Sequence, residues 1–244
     1  MLHSGSKARP DDLRDVVDAI GDRLVEGLGM TENSGGLITA TRRGDFDADS
    51  AARDAYASVG RAAVDAAVRV VDADGNDVAH DGESVGELVM TSPALMSGYW
   101  DNAEATAHAL RDGWYWSGDL GSIDDAGFVY VSDRRTDLIV SGGMNVYPSE
   151  VEDAIASHPD VADVAVVGIP HERWGQTVAA VVVPRAGAVL DADRVVSHVR
   201  DRLASFKKPT TVVFADELPR TASLKVKRHE VRESILHRTI EPEE

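Results

Sequence analysis

The punctuation of the chain changes at one place, and that change limits what the chain can fold into. Ahead of residue 134 the apolar runs are short and closed by turn signals: AAVRVVD, the turn DADGN, GELVMTS, WYWSGDLG, the turn DDAG, and FVYVS. Runs of this kind read as strands of a hairpin-rich sheet. From Asp137 onward strands and amphipathic helices alternate: LIVS, PSEVEDAIAS, VADVAVVGI, TVAAVVVP, ADRVVSHVRDRL, TVVFAD and KRHEVRESIL. That alternation specifies a compact α+β unit. A division into residues 1–135 and 136–244 is therefore expected, with the joint at Arg134–Asp137 and 43% hydrophobic residues to supply the cores.

The joint is dense in signals. Leu138, Ile139 and Val140 favour a strand, Gly142 and Gly143 free the backbone to turn, and Pro148 suits the first turn of a helix. Strand, tight turn, helix is the expected order, with Val151, Ala154 and Ile155 on the apolar face and His158–Pro159 closing the helix. Near the start, PDDLRDVVDAI places Leu13, Val16, Val17 and Ile20 on one helical face. The next twenty residues read as glycine-rich loop.

Composition removes several function classes. With no cysteine there is no disulfide, thiolate metal site or cysteine nucleophile. A net charge of −17 repels nucleic acid and anionic lipid. No apolar run approaches the roughly 18 residues of a membrane span, and MLHSGSKARP lacks the apolar core of a signal peptide, so the cytoplasm is expected. Acid is spread evenly, and lysine is confined to Lys7, Lys207, Lys208, Lys225 and Lys227. This bias fits a halophilic protein, since molar salt shortens charge repulsion to roughly 3 Å.

Four places hold polar residues that a plain core does not require. In GLGMTENSGG, residues 27–36, Thr31 and Glu32 suit a phosphate and its Mg²⁺. In WYWSGDLG, Asp119 follows a glycine at an expected strand end, where it suits a ribose diol. Arg134 and its neighbours form a charge cluster, and Lys225 lies between Leu224 and Val226. Taken singly, each is served as well by a capped loop, a turn aspartate, a surface ion pair or a solvated basic tail.

Taken in order, these segments resemble the C-terminal portion of the adenylate-forming enzymes, the superfamily of acyl-CoA synthetases, peptide-synthetase adenylation domains and luciferases. The family's aromatic-Gly-x-Thr-Glu loop, Tyr-x-(Thr/Ser)-Gly-Asp turn, Arg-x-Lys-Asp joint leading to Gly-Gly-x-Asn, and Pro-Arg-Thr-x-x-Gly-Lys tail all have close versions here. GELVMTSPALMSGYW and VVGIPHERWGQ are also family-like, so the resemblance covers essentially the whole chain. It implies an α/β and α+β fold: a truncated remnant of the large AMP-binding domain, with its β-rich subdomain, and a complete small C-terminal domain. It also implies an acid:CoA ligase of acyl-CoA or fatty acid metabolism that uses ATP, Mg²⁺, coenzyme A and a small carboxylic acid. By resemblance Thr31 contacts phosphate, Glu32 holds Mg²⁺, Leu28 stands at the adenine position, and Asp119 and Arg134 bind ribose hydroxyls. Lys225 neutralises charge at the α-phosphate, Thr136 is the hinge, and Gly142 and Gly143 wall the thiol tunnel.

Three residues depart from the family pattern. Leu28 replaces an aromatic, Thr136 replaces Lys or Asp, and Leu224 replaces the glycine before the tail lysine. The Ser/Thr/Gly-rich phosphate loop is not found in these residues; HSGSKARP resembles the later segment that borders adenine. Two expectations follow: a ligase whose N-terminal half is a separate chain or was lost from the reading frame, or a non-catalytic nucleotide- or CoA-binding remnant or partner subunit. A gene fragment without stable product is the third alternative.

Overall fold

The computed structural model describes the chain apart from residues 6–7, 22, 48–49, 223 and 241–244 and the side chains of 238–240. Lys7, within HSGSKARP, and Ser223, within the tail motif, lie outside the described residues. The chain forms two compact units, Met1–Arg135 and Thr136–Glu244.

The first unit begins with β1 (Leu2–Ser4), α1 (Pro10–Ile20) and β2 (Val25–Gly27), the two strands pairing in parallel. Pro10 opens the helix, where its missing N–H costs nothing, and Gly21 ends it in a positive-φ conformation. Leu13 is buried, and Val16 and Val17 pack beside it with Leu24, Phe46 and Ala55. β3 (Thr39–Ala40) pairs with β4 (Arg61–Ala62). An antiparallel sheet follows, built from β5 (Ala67–Val71), β6 (Gly86–Thr91), β7 (Leu110–Arg111), β8 (Trp114–Ile123) and β9 (Val129–Arg134), with α2 (Ala103–Ala109) preceding β7. Its order is β5-β6-β8-β7, with β9 also on β8. Val70, Leu88, Met90, Ile123 and Val129 close over Ile38 as its core.

Residues 21–40 are not the plain loop expected, since they contain β2 and β3. Strands of two or three residues carry no readable period. Gly27 marks the place: a Cβ there would lie 2.6 Å from the Thr39 carbonyl oxygen, so close backbone approach requires glycine. α2, capped by the Asn102 side chain accepting from Ala105 N–H, is a second element that seven residues of pattern did not reveal.

The second unit is a five-stranded sheet of β10 (Ile139–Ser141), β11 (Met144–Val146), β12 (Val161–His171), β13 (Gly175–Pro184) and β14 (Thr211–Phe214). β12 and β13 pair antiparallel along their whole length, while β10 and β14 both pair with β13. Helices α3 (Pro148–Ala156) and α4 (Ala192–Arg200) share one core with Val164, Val166, Val178, Ala180 and Val182. The intervening Ala165, Val167, Ile169, Ala179 and Val181 face a second core with Val231 and Ile235 of α5 (Arg228–Ile240). Burial on both faces is why these two strands read as continuous apolar runs.

The joint segment differs from its expected order. Between Gly142–Gly143 and α3 lies β11, so the glycines form the two-residue tip of a β10–β11 hairpin. Their φ values of 58° and 82° match the left-handed pair that a two-residue hairpin turn demands.

Candidate active site

The Thr31–Glu32 pair opens a single 3₁₀ turn, Thr31–Asn33, after extended Met30. Thr31 is exposed and Glu32 half-buried. Glu32 Oε1 accepts a 2.8 Å hydrogen bond from Tyr99 Oη, and its carbonyl accepts from Met96 N–H at 2.7 Å. The buried Asn33 side chain donates to the Gly36 carbonyl and accepts from Ser92 Oγ, which closes the loop. Leu28, at the position expected to meet adenine, packs partly against the Ile38 core. Just upstream, buried Glu26 lies 2.7 Å from His3 Nδ1 across the β1–β2 pair, and burial pushes its carboxyl up despite the histidine.

Asp119 sits inside β8 rather than at a strand end. It pairs in register with Arg134 of β9, and Arg134 Nε lies 3.1 Å from Asp119 Oδ1. The carboxylate is mostly buried while the guanidinium is exposed, so the pair presents a sheltered acid beside a solvent-facing cation. One residue braces its neighbours: Glu87 lies 31 positions before Gly118 and 48 before Arg135. Glu87 Oε1 accepts from Gly118 N–H at 3.1 Å, and its other oxygen lies 3.1 Å from Arg135 Nη1. Arg135 N–H donates to the Gly118 carbonyl at 2.8 Å. β8 also carries Tyr115, so one strand links this pair to the Tyr99–Glu32 contact.

In the second unit, Asp137 lies 3.4 Å from Arg228 Nε, and Arg228 holds Glu152 of α3 through two nitrogens at 2.6 and 3.0 Å. Arg228 also donates to the Val166 carbonyl at 2.7 Å. Thr136 is thus an exposed residue between two anchors, Arg135 on Glu87 before it and Asp137 on Arg228 after it.

The glycine turn and the tail lysine belong to this unit. Gly142 N–H donates to the Trp174 carbonyl at 3.0 Å, and a Cβ at Gly143 would meet nothing within 4 Å. Lys225 is exposed, and among the described residues its ammonium forms no ion pair. Backbone fixes its place: Thr221 N–H donates to the Lys225 carbonyl at 2.8 Å, and Lys225 N–H donates to Thr221 Oγ1 at 3.1 Å. Leu224 takes φ 64° with a largely exposed side chain, the conformation that glycine adopts freely. Arg220 bonds the Leu224 carbonyl at 2.6 Å and pairs with Asp163.

Sequence reasoning missed Tyr99, Glu87, Glu152 and Arg228. The quoted segments GELVMTSPALMSGYW and PSEVEDAIAS contain three of them, but nothing local assigns their partners.

Two family models match this chain, the AMP-binding enzyme over residues 1–100 and the AMP-binding enzyme C-terminal domain over residues 150–225. The chain belongs to the AMP-binding enzyme family. An indoleacetate–CoA ligase of Aromatoleum aromaticum is 41% identical over 98% of the chain and 45% of the relative. A 2-succinylbenzoate–CoA ligase of Geobacillus kaustophilus is 48% identical over 62% of the chain and 31% of the relative. ATP-bound MatB from Rhodopseudomonas palustris superposes with a TM-score of 0.86 at 33% identity, covering 96% of the chain and 44% of that structure. This family member therefore spans about half the length of the curated relatives it matches. Its mixed α/β architecture is that of adenylate-forming enzymes. Among the described residues, no helix is long and apolar enough to cross a membrane.

Proposed function

We propose that this chain carries the nucleotide- and thiol-handling part of an ATP-dependent, AMP-forming acid:CoA ligase. Residues 1–135 correspond to the C-terminal part of the AMP-binding domain, and 136–244 to the small C-terminal domain. The observation that carries the reading is the Asp119–Arg134 pair, because a buried carboxylate already held by its neighbour meets a ribose diol without rearrangement.

In the first step a carboxylate oxygen of the acid attacks the α-phosphorus of ATP, the bond to pyrophosphate breaks, and acyl-AMP forms. Thr31 contacts phosphate and Lys225 neutralises charge between carboxylate and α-phosphate, so the chain contributes positioning and electrostatics. In the second step the thiol of coenzyme A attacks the acyl carbon and AMP leaves. Thr136 lets the small domain turn between the steps. The open space at Gly143 admits the pantetheine arm, which a side chain there would meet.

Among the described residues no group of three or more His, Cys, Asp or Glu side chains is placed to hold a metal ion. One carboxylate beside phosphates suffices for Mg²⁺, and Glu32 on its half-exposed turn fits that donor set. When bound with ATP, the ion would offset the phosphate charge.

The relatives act on acids as different as indoleacetate, ferulate, 2-succinylbenzoate and long-chain fatty acids, so the proposal stops at a carboxylic acid. A cytoplasmic setting at high salt completes it. A second reading, a nucleotide- or CoA-binding subunit without turnover, is favoured by Leu28 turning into the core and by the strained Leu224.

The test is calorimetry with AMP and ATP in molar salt, followed by acid-dependent pyrophosphate release with and without an N-terminal-half polypeptide. Binding with pyrophosphate release is expected. Binding without release in either preparation selects the second reading, and no binding overturns both.

A further inference from the structure

Glu32 is built into its turn by a residue with no assigned role. Tyr99 Oη donates to Glu32 Oε1 at 2.8 Å, from 67 residues away. Tyr99 is itself held. At Gly98 the backbone runs so close to α2 that a Cβ would lie 2.8 Å from Thr106 Cγ2. Tyr99 N–H then donates to Thr106 Oγ1 at 2.9 Å, and that hydroxyl donates to the Asn102 carbonyl at 2.8 Å. Tyr115 of β8, itself buried, lies close to both Tyr99 and the Glu32 carboxylate.

We propose that Tyr99 is a positioning residue: by occupying Oε1 it offers Glu32 to the metal of a bound metal–nucleotide through one oxygen, which favours Mg²⁺ over Ca²⁺. The reason is coordination geometry. Mg²⁺ demands near-octahedral single-oxygen ligands at about 2.0–2.1 Å, whereas Ca²⁺ readily takes both oxygens of a carboxylate at about 2.3–2.6 Å. An ion that takes both oxygens of Glu32 has to share Oε1 with the Tyr99 hydroxyl, which weakens its hold on that oxygen. This inference rests on the proposed role of Glu32 and goes beyond it in assigning the hydroxyl and the ion preference.

The test is ATP affinity measured calorimetrically with millimolar Mg²⁺ or Ca²⁺, for the wild-type chain, Tyr99→Phe and Glu32→Gln, with thermal melting of each. Tyr99→Phe keeps the ring and removes only the hydroxyl. Its Mg²⁺–ATP affinity is expected to fall about 10-fold, as outer-sphere partners of metal ligands typically cost, with a smaller fall for Ca²⁺. Thr106→Val, which loosens Tyr99 without removing its hydroxyl, should shift the ratio the same way by less, and decides the matter if Tyr99→Phe does not fold. An unchanged Mg²⁺/Ca²⁺ ratio in the folded variant overturns the assignment while leaving Glu32 in place, since a purely structural tyrosine weakens both ions alike. Wild-type affinity that does not depend on metal, or that Glu32→Gln leaves intact, overturns the Glu32 reading and this inference together.

Discussion

The two units hold their candidate residues in opposite ways. In the first, the carboxylates are each tied to another side chain: Asp119 to Arg134, Glu32 to Tyr99, and Glu87 to Arg135. In the second, the glycine turn and Lys225 sit on exposed loops that turn at Gly142, Gly143 and Leu224 with positive φ, and the Lys225 side chain itself is not tied. Arg228 with Glu152 and Asp137 anchors this unit away from the glycine turn, and Arg220, paired with Asp163, reaches the lysine loop only at the Leu224 carbonyl. The contrast teaches a division of labour. Groups that receive a ligand gain from being locked before it arrives, since no reorganisation is then needed. Groups brought to a reacting centre have to stay unpaired until they meet it.

The largest effect that sharpens this contrast is at Lys225. Lys225→Ala should slow acid-dependent pyrophosphate release by roughly 100- to 1000-fold, the scale of losing one transition-state-stabilising group. Because the side chain is exposed, the melting temperature and AMP affinity should not move. Pyrophosphate assays beside calorimetry decide it. A variant that loses stability instead shows the lysine to be a structural part of its unit, and the contrast breaks.

A smaller effect tests the first unit. Glu87→Ala leaves the Gly118 N–H without its acceptor and frees Arg135, and a lost acceptor of this kind costs about 2 kcal/mol. Exposed Arg135 adds little to that figure. Chemical denaturation should show the first unit unfolding earlier, with weakened AMP binding through Asp119. Glu87→Gln, which keeps an acceptor for Gly118, should recover most of the loss. Equal denaturation of all three proteins would mean that Asp119 is fixed by the strand pairing alone.

The same contrast explains what was legible beforehand. The second unit's sheet was readable because β12 and β13 are long and buried on both faces, so Val164 to Ile169 and Val178 to Val182 stand out as apolar runs. β1, β2 and β11 were not, because three residues cannot display a period, and β1 and β2 pair only across an intervening helix. The ligase-like segments were recognisable as ordered motifs. The bracing was hidden, since Tyr99 reaches Glu32 and Glu87 reaches Gly118 only once the chain is folded. Leu224 was visible as a departure from the family glycine, but its φ of 64° explains why glycine belongs there.

That residue supplies the smallest and sharpest test. A non-glycine residue in the left-handed region costs roughly 1–2 kcal/mol, and Leu224 gains little back because its side chain is mostly in solvent. Leu224→Gly should remove the strain, although glycine's greater freedom in the unfolded chain offsets part of it. A net gain of about 0.5–1 kcal/mol is expected in the denaturation of the second unit. If the positive φ is only tolerated by the lysine loop, the substitution leaves the Thr221–Lys225 hydrogen bonds intact, and any pyrophosphate release keeps its rate. A fall in rate together with a gain in stability would show that the strain itself sets the lysine's position, so that this loop, like the paired residues of the first unit, is fixed by more than its backbone.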